Sequence, residues 1–225
     1  MKLKNPKNKD QKKLLRREVI RKLIHLLELP VLLAYTMVAS LYGPKPAILV
    51  LTALLIILLE IEYIRLEYRF KLPLVVDILR RHEKDNIASN IFFIASTIIC
   101  FAAFDYPIAL LALLLTVFGD LMSALVGTGF GKKQIYKRKT LEGFVAGFLT
   151  NLIVGYVVMP GNWILIAPMA MIASVVELWT GKLDDNLTVP LAAGFTGQLI
   201  VLFGFSSLAS FPGPVLEWLG KLIQF

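Results

Sequence analysis

Acidic side chains interrupt long apolar runs of this sequence, where a bilayer makes an unpaired charge costly. Asp120 lies in such a run, and Thr116, Ser123 and Gly127 fall at helical spacing around it. A polar face of this kind is either a hydrogen-bonded contact between helices or a set of ligands for a cation or a polar substrate. The pattern by itself leaves both interpretations open.

Three further carboxylates crowd together where another apolar run ends. Glu177 is followed by Asp184, Asp185 and Asn186 within ten residues. Like charges this close repel one another unless a cation compensates them, and hard oxygen ligands suit magnesium. The cluster therefore indicates a divalent-metal site at the edge of the membrane.

A segment rich in glycine and lysine connects the fourth and fifth apolar runs. Gly127, Gly129 and Gly131 alternate, and Lys132 and Lys133 follow them. Alternate glycines would let backbone N–H groups approach an anion, and the lysines would supply positive charge. The spacing is not that of a P-loop. The segment is either a polyphosphate site or an ordinary solvent-exposed connection.

Two other groups of polar residues lie where apolar runs begin. Arg21, His25 and Glu28 repeat at helical spacing, so they either reach the lipid headgroups or face a site. Glu142 opens the fifth run, where a negative charge also suits the helix dipole. Gly147 follows at a spacing typical of close helix packing.

The elements that must position these residues are apolar runs of membrane-spanning length. With a mean hydropathy of +0.71 and 18% charged residues, the 225-residue chain is too apolar for a soluble domain. We predict an all-α integral membrane protein with about seven transmembrane helices, near residues 23–41, 46–64, 88–104, 106–126, 144–159, 163–178 and 189–205. Residues 1–16 are predicted to form a basic cytosolic tail, and 17–225 a single catalytic domain with an interfacial amphipathic segment at 65–86.

Basic residues set the predicted orientation. Of the 24 lysines and arginines, all but Lys45 and Lys221 fall on one side, which the positive-inside rule assigns to the cytosol together with the amino terminus. The net charge of +8 therefore fits anionic headgroups and not nucleic acid. Carboxylates for a metal, cations for phosphates and an apolar surround on one side describe a phosphoryl-transfer site for a lipid.

The motifs follow one another in a recognisable order. They are Arg21-Lys-x-x-His25, Gly119-Asp120-x-x-Ser-Ala-x-x-Gly127, Gly131-Lys132, Lys139-Thr140-x-Glu142-Gly143, Glu177, and Asp184-Asp-Asn-Leu-Thr-x-Pro190. Together they resemble the CTP-dependent lipid kinase family, whose members include dolichol kinase, phytol kinase and the CTP-dependent diacylglycerol kinase. The resemblance covers residues 17–194.

This resemblance implies transfer of the γ-phosphate of CTP to the hydroxyl of a membrane lipid alcohol at the cytosolic face. The alcohol would be a polyprenol or dolichol, a shorter isoprenol or diacylglycerol, and Mg²⁺ or another divalent cation would assist. The predicted catalytic residues are Asp120, His25, Lys139, Glu142 and Asp185. The predicted CTP-binding residues are Gly127, Gly129, Gly131, Lys132, Lys133, Thr140, Arg21 and Asn186, and the predicted metal ligands are Asp120, Glu177, Asp184 and Asp185.

Two other functions compete with a kinase. A CTP-dependent cytidylyltransferase acting on a phosphorylated lipid would use the same groups to direct attack at the α-phosphate. An ion-coupled transporter would place its carboxylates near the midplane and on broken helices. The membrane would be the plasma membrane of a prokaryote, or the endoplasmic reticulum or another organelle membrane of a eukaryote, and homo-oligomerisation is left open.

Overall fold

The structure is a computed structural model that describes residues 22, 25–67, 87–137, 139–180, 183–206 and 208. Within them the elements are α1 Glu28–Tyr42, α2 Pro44–Glu67, α3 Ser89–Ala103, α4 Tyr106–Phe130, β1 Gln134–Tyr136, β2 Lys139–Thr140, α5 Leu141–Val158, α6 Trp163–Trp179 and α7 Asp185–Leu202. Each of the seven predicted apolar runs coincides with one of these helices. The predicted tail at 1–16 and most of the predicted amphipathic segment lie outside the described residues.

In the part of the chain that the structure describes, three helices are long and apolar enough to cross a bilayer. They are α2, α4 and α5, with hydropathies of 2.5, 2.2 and 1.7, whereas α1, α3 and α6 are apolar but shorter. Large apolar side chains cover the outer faces of α2 and α5, among them Leu49, Ile57 and Ile153, each more than half exposed. A soluble monomer rarely exposes so much apolar surface. The exposed faces therefore support a membrane protein.

The helix α4 lies between two buried apolar clusters. On one side Leu111 and Leu115 pack with Met169 of α6 and other buried residues of α6 and α7. On the other side Leu113 packs with Tyr35 of α1 and with residues of α3. Because both clusters use α4, its polar residues are held in a fixed place between the neighbouring helices.

The helices α4 and α5 approach each other most closely through small residues. A Cβ atom built on Gly147 would lie 3.0 Å from Ser123 Cβ and 3.2 Å from the Gly119 carbonyl oxygen. A Cβ on Gly143 would lie only 2.7 Å from the Ser123 carbonyl oxygen. The predicted packing role of Gly147 is therefore confirmed, since only glycine lets the backbones come this near.

A short β-hairpin departs from the all-α prediction. The strands β1 and β2 pair antiparallel, with Gln134 opposite Thr140 and Tyr136 opposite Lys139. Lys137, with a φ of +48°, lies in the turn between them. Ile135, Tyr136 and Thr140 favour extended backbone, which explains why this connection pairs with itself. The hairpin brings Lys139 to the start of α5.

Candidate functional site

At one end of the bundle, polar contacts connect the ends of several helices with one another. The Ser89 hydroxyl, at the start of α3, donates to Asp184 Oδ2 before α7 at 2.7 Å. Lys139, before α5, bonds to Glu177 near the end of α6 at 3.1 Å. Since α3, α5 and α7 begin where α6 ends, these residues share one end of the bundle. We call it the polar end.

Lys139 lies between two carboxylates of the predicted site. Its Nζ is 3.1 Å from Glu177 Oε1 and 3.9 Å from Asp185 Oδ2. Glu177 is buried, with 7% of its side chain exposed, whereas 29% of the Lys139 side chain is exposed. The repulsion expected between these carboxylates is thus relieved by an ammonium group of the chain itself.

Asp120 forms an ion pair with Lys22, which lies before α1. The side chain of Lys22 is 1% exposed and that of Asp120 13% exposed, so the pair is largely removed from water. A charge buried this deeply needs a partner of opposite sign. Lys22 is part of the first motif, but no role was predicted for it. A lysine at the start of an apolar run was the signal that could have identified it as a residue of the site.

His25 is hydrogen-bonded to Glu28. Its Nδ1 lies 2.9 Å from Glu28 Oε1. Glu28 is buried and lies within electrostatic range of both Lys22 and Asp185. The pair therefore belongs to the polar end. An Nδ1–H that donates to the carboxylate leaves Nε2 of His25 as a possible acceptor.

Asp184 and Asn186 fix the start of α7. Asp184 caps the helix by accepting the Asn186 backbone N–H at 3.0 Å. Asn186 is buried and donates its side-chain amide to the Ser89 carbonyl at 3.3 Å, while its own carbonyl accepts from the Ser96 hydroxyl at 2.8 Å. These contacts position α7 against α3 and leave Asn186 remote from solvent. The predicted CTP-binding role of Asn186 stays a prediction.

The predicted loop of alternating glycines is in large part helical. Gly127 and Gly129 belong to the last turns of α4, and Gly131 follows its end. Gly127 and Gly131 lie against Thr140, which caps α5 by accepting the Gly143 N–H at 3.2 Å. A Cβ atom on Gly131 would collide with Thr140 and with the Gly127 carbonyl, and one on Gly127 would lie in tight contact with the Thr140 hydroxyl at 3.1 Å. These two glycines therefore have a packing role that the sequence pattern did not predict.

Glu142 occupies the backbone amides that were expected to bind phosphate. Its Oε2 accepts the Lys132 N–H at 3.0 Å and the Lys133 N–H at 3.2 Å. Both lysine residues are exposed. The two amides thus converge on an anion, which here is a carboxylate of the chain, and phosphate binding by this segment stays a prediction.

The carboxylates predicted to bind metal are all engaged with other groups. Among the residues that the structure describes, no three His, Cys, Asp or Glu side chains form a cluster able to hold a metal ion. Asp120 pairs with Lys22, while Glu177 and Asp185 flank Lys139. Magnesium at nucleotide sites commonly uses one or two carboxylates together with substrate phosphates. The donor set fits that arrangement and not an all-protein cage.

Glu62 is a buried carboxylate that the sequence analysis missed. Its side chain accepts the Ala88 backbone N–H at 2.8 Å and bonds to Arg65 at 2.6 and 2.8 Å. It therefore fastens the end of α2 to the residue before α3. A glutamate inside an apolar run was the available signal. Arg21, in contrast, lies outside the described residues.

Comparison with known proteins does not show a family for this chain. No family model matches the chain, and no solved structure does. An uncharacterized protein of Methanocaldococcus jannaschii is 28% identical over 184 residues, which cover 80% of this chain and 92% of that protein. This similarity extends over most of both chains but brings no activity with it.

Proposed function

We propose that the chain is a multi-pass membrane enzyme that transfers the γ-phosphate of CTP to the hydroxyl of a lipid alcohol. One observation carries the proposal most. Lys139 lies between Glu177 and Asp185 at the polar end, on a bundle whose outer surface is apolar. Cationic and acidic groups that face each other beside a hydrocarbon surface suit a polyphosphate donor and a lipid acceptor.

Phosphoryl transfer requires mainly positioning and neutralisation of charge. The lipid oxygen forms a bond to the γ-phosphorus, the bond from that phosphorus to the bridging oxygen breaks, and CDP leaves. Lys139 can exchange its carboxylate partners for phosphate oxygens, because both are anionic acceptors. Lys132 would add positive charge from the surface. The hydroxyl proton would pass to Nε2 of His25 or to an aspartate of the site.

Bound magnesium would supply charge neutralisation at the β- and γ-phosphates. Glu177 and Asp185 are the residues best placed to hold it, since both would be released when Lys139 turns to the nucleotide. Asp120 would act with them if its pairing with Lys22 is exchanged in the same way.

Labelled CTP tests the proposed reaction. Purified protein in lipid nanodiscs is incubated with γ-labelled or α-labelled CTP and with a panel of polyprenol, short isoprenol and diacylglycerol. A kinase transfers only the γ-label to lipid, whereas a cytidylyltransferase given a phosphorylated lipid transfers the α-label. Lys139→Met should lower transfer at least 100-fold, and Lys45→Met, a lysine at the start of α2, should change it less than twofold. The proposal would be refuted if none of the acceptor lipids became labelled.

The proposed topology has seven crossings and a cytosolic polar end. Single cysteines at positions 132 and 45, in a Cys100→Ala background, should react with a membrane-impermeant maleimide from opposite sides of sealed vesicles. Both positions are exposed, so their reactivity reports the side and not burial. Labelling of both from the same side would contradict the topology.

A further inference from the structure

We propose that an apolar groove between α1 and α2 holds the hydrocarbon chain of the acceptor lipid and that Glu28 binds its hydroxyl. The inference rests on the proposed function, because it names the site of that reaction's acceptor. The groove is lined by Val31, Ala34 and Val38 of α1 and by Val50, Leu51 and Leu54 of α2. We call it the acceptor groove.

Its size and chemistry fit a segment of hydrocarbon chain. The volume is about 210 Å³, and Tyr35 is the one lining residue with a polar side-chain atom. Pockets for whole drug-sized ligands measure roughly 300–1,000 Å³. From Pro30 to Val38 the groove follows α1 for about 12 Å, at 1.5 Å per residue. An apolar groove of this length can bind an extended hydrocarbon chain, but it offers no partners for a polar headgroup.

The groove leads to the polar end. Helical spacing places Glu28, Val31 and Tyr35 on one face of α1, so the groove begins one turn after the carboxylate. Glu28 is also within electrostatic range of Asp185, which flanks Lys139. A lipid whose chain occupies the groove therefore has its head beside the groups proposed to handle phosphate.

Glu28 has an unused acceptor at this position. Oε1 is bonded to His25, but Oε2 is buried and has no hydrogen-bond partner in the described part of the chain. An unsatisfied buried acceptor is costly, so it calls for a donor. The hydroxyl of a lipid alcohol is such a donor once the carboxylate turns towards the groove. Hydrocarbon tails of bulk lipid offer none, which favours an alcohol as the occupant.

Photolabelling tests the groove without depending on catalysis. A long-chain isoprenoid alcohol with a diazirine in its chain is added to the protein in nanodiscs, and the labelled residues are mapped by mass spectrometry. We expect labelling to concentrate on the residues that line the groove, among them Val31, Ala34, Val38, Val50, Leu51 and Leu54. Ala34→Phe should lower it at least tenfold by filling the groove. Ala53→Phe is the matched control, since Ala53 is also exposed but does not line the groove.

The hydroxyl contact is tested by comparing the alcohol with its methyl ether as competitors of photolabelling. The wild type should prefer the alcohol at least fivefold, because the ether cannot donate a hydrogen bond. Glu28→Met should reduce this preference below twofold while still binding both compounds, because methionine has a similar length but no oxygen acceptor. A merely structural role of Glu28 would weaken both compounds alike and leave the preference unchanged.

The outcomes separate this inference from the proposed function. Labelling spread evenly over the lipid-facing helices, or equal labelling of the two phenylalanine variants, would overturn the groove even if γ-phosphate transfer occurs. An unchanged preference in Glu28→Met would overturn the hydroxyl contact. Groove labelling without any phosphate transfer would instead establish an alcohol site and refute the kinase.

Discussion

The contact between Lys139 and Glu177 gives the sharpest test of the polar end. Lys139 is the one hydrogen-bond and ion-pair partner of Glu177 among the described residues, and Glu177 is 6% exposed. Replacing Lys139 with methionine keeps most of the apolar length of the side chain but removes its charge. The carboxylate would then remain buried without compensation.

The size of the effect follows from burial. Removing one partner of a buried ion pair costs about 3–5 kcal/mol. Because 29% of the Lys139 side chain is exposed, we expect the lower end of that range, about 3 kcal/mol. For a chain of this size, such a loss lowers the melting temperature by roughly 6–12 °C.

A double-mutant cycle separates this cause from lost packing. Glu177→Gln should cost about 1 kcal/mol, since the amide remains polar and Lys139 still faces Asp185. If the two groups act through each other, the coupling is about 2 kcal/mol, within the usual range for contacting residues. The double variant should then lose about 2 kcal/mol, and not the 4 kcal/mol that independent effects would give.

The assay is thermal unfolding in nanodiscs at a fixed scan rate, followed by tryptophan fluorescence. Lys132→Met is the control, because it removes an exposed lysine near the same hairpin and should shift the melting temperature by less than about 2 °C. Additive losses in the double variant, or a Lys139→Met protein as stable as the wild type, would refute the reasoning.

Three other substitutions test neighbouring parts of the site. Gly147→Ala should lower the free energy of unfolding by about 1–3 kcal/mol, because the added Cβ would press against α4. Gly129→Ala is the control: Gly129 is exposed in a helix, so alanine should raise the free energy of unfolding by up to about 1 kcal/mol. Equal shifts of the melting temperature in the two variants would contradict this packing. Glu142→Ala should raise the KM for CTP about tenfold, because the loop that carries Lys132 and Lys133 loses the carboxylate that holds it in place, and Glu142→Gln, which keeps an acceptor, should largely restore it. A KM of Glu142→Ala equal to that of the wild type would exclude such a role. Asp120→Asn should abolish phosphate transfer and lower the melting temperature, and adding Lys22→Met should recover stability but not activity.

The positions of the helices could be predicted well from the sequence. Apolar runs are the dominant signal in a chain of this composition, and each run coincides with a helix. The gathering of Glu177, Asp185 and Lys139 at one end was also predicted. When successive helices run in opposite directions, every second connection lies at the same end of the bundle. Polar residues in those connections are therefore brought near one another.

The partners of the charged residues could not be predicted. The prediction that Asp120 and Glu177 bind a metal stays a prediction, but their lysine partners were not foreseen, and Lys22 is 98 positions from Asp120. Pairings over such separations depend on how the helices pack, which composition and spacing do not encode. The role of Gly131 was hidden for the same reason, since its neighbour Thr140 lies across a turn whose pairing is tertiary.

The proposed function gives these ion pairs a role beyond the fold. Replacing a buried ion pair with apolar residues of similar volume often leaves stability unchanged or improves it. At the polar end, Lys22 with Asp120 and Lys139 with Glu177 connect different helices where apolar contacts would serve the fold as well. Each pair holds an ammonium and a carboxylate ready for partners of opposite charge. A triphosphate bound with a divalent cation would supply both partners at once, which is the physical reason why we propose nucleotide chemistry for these pairs.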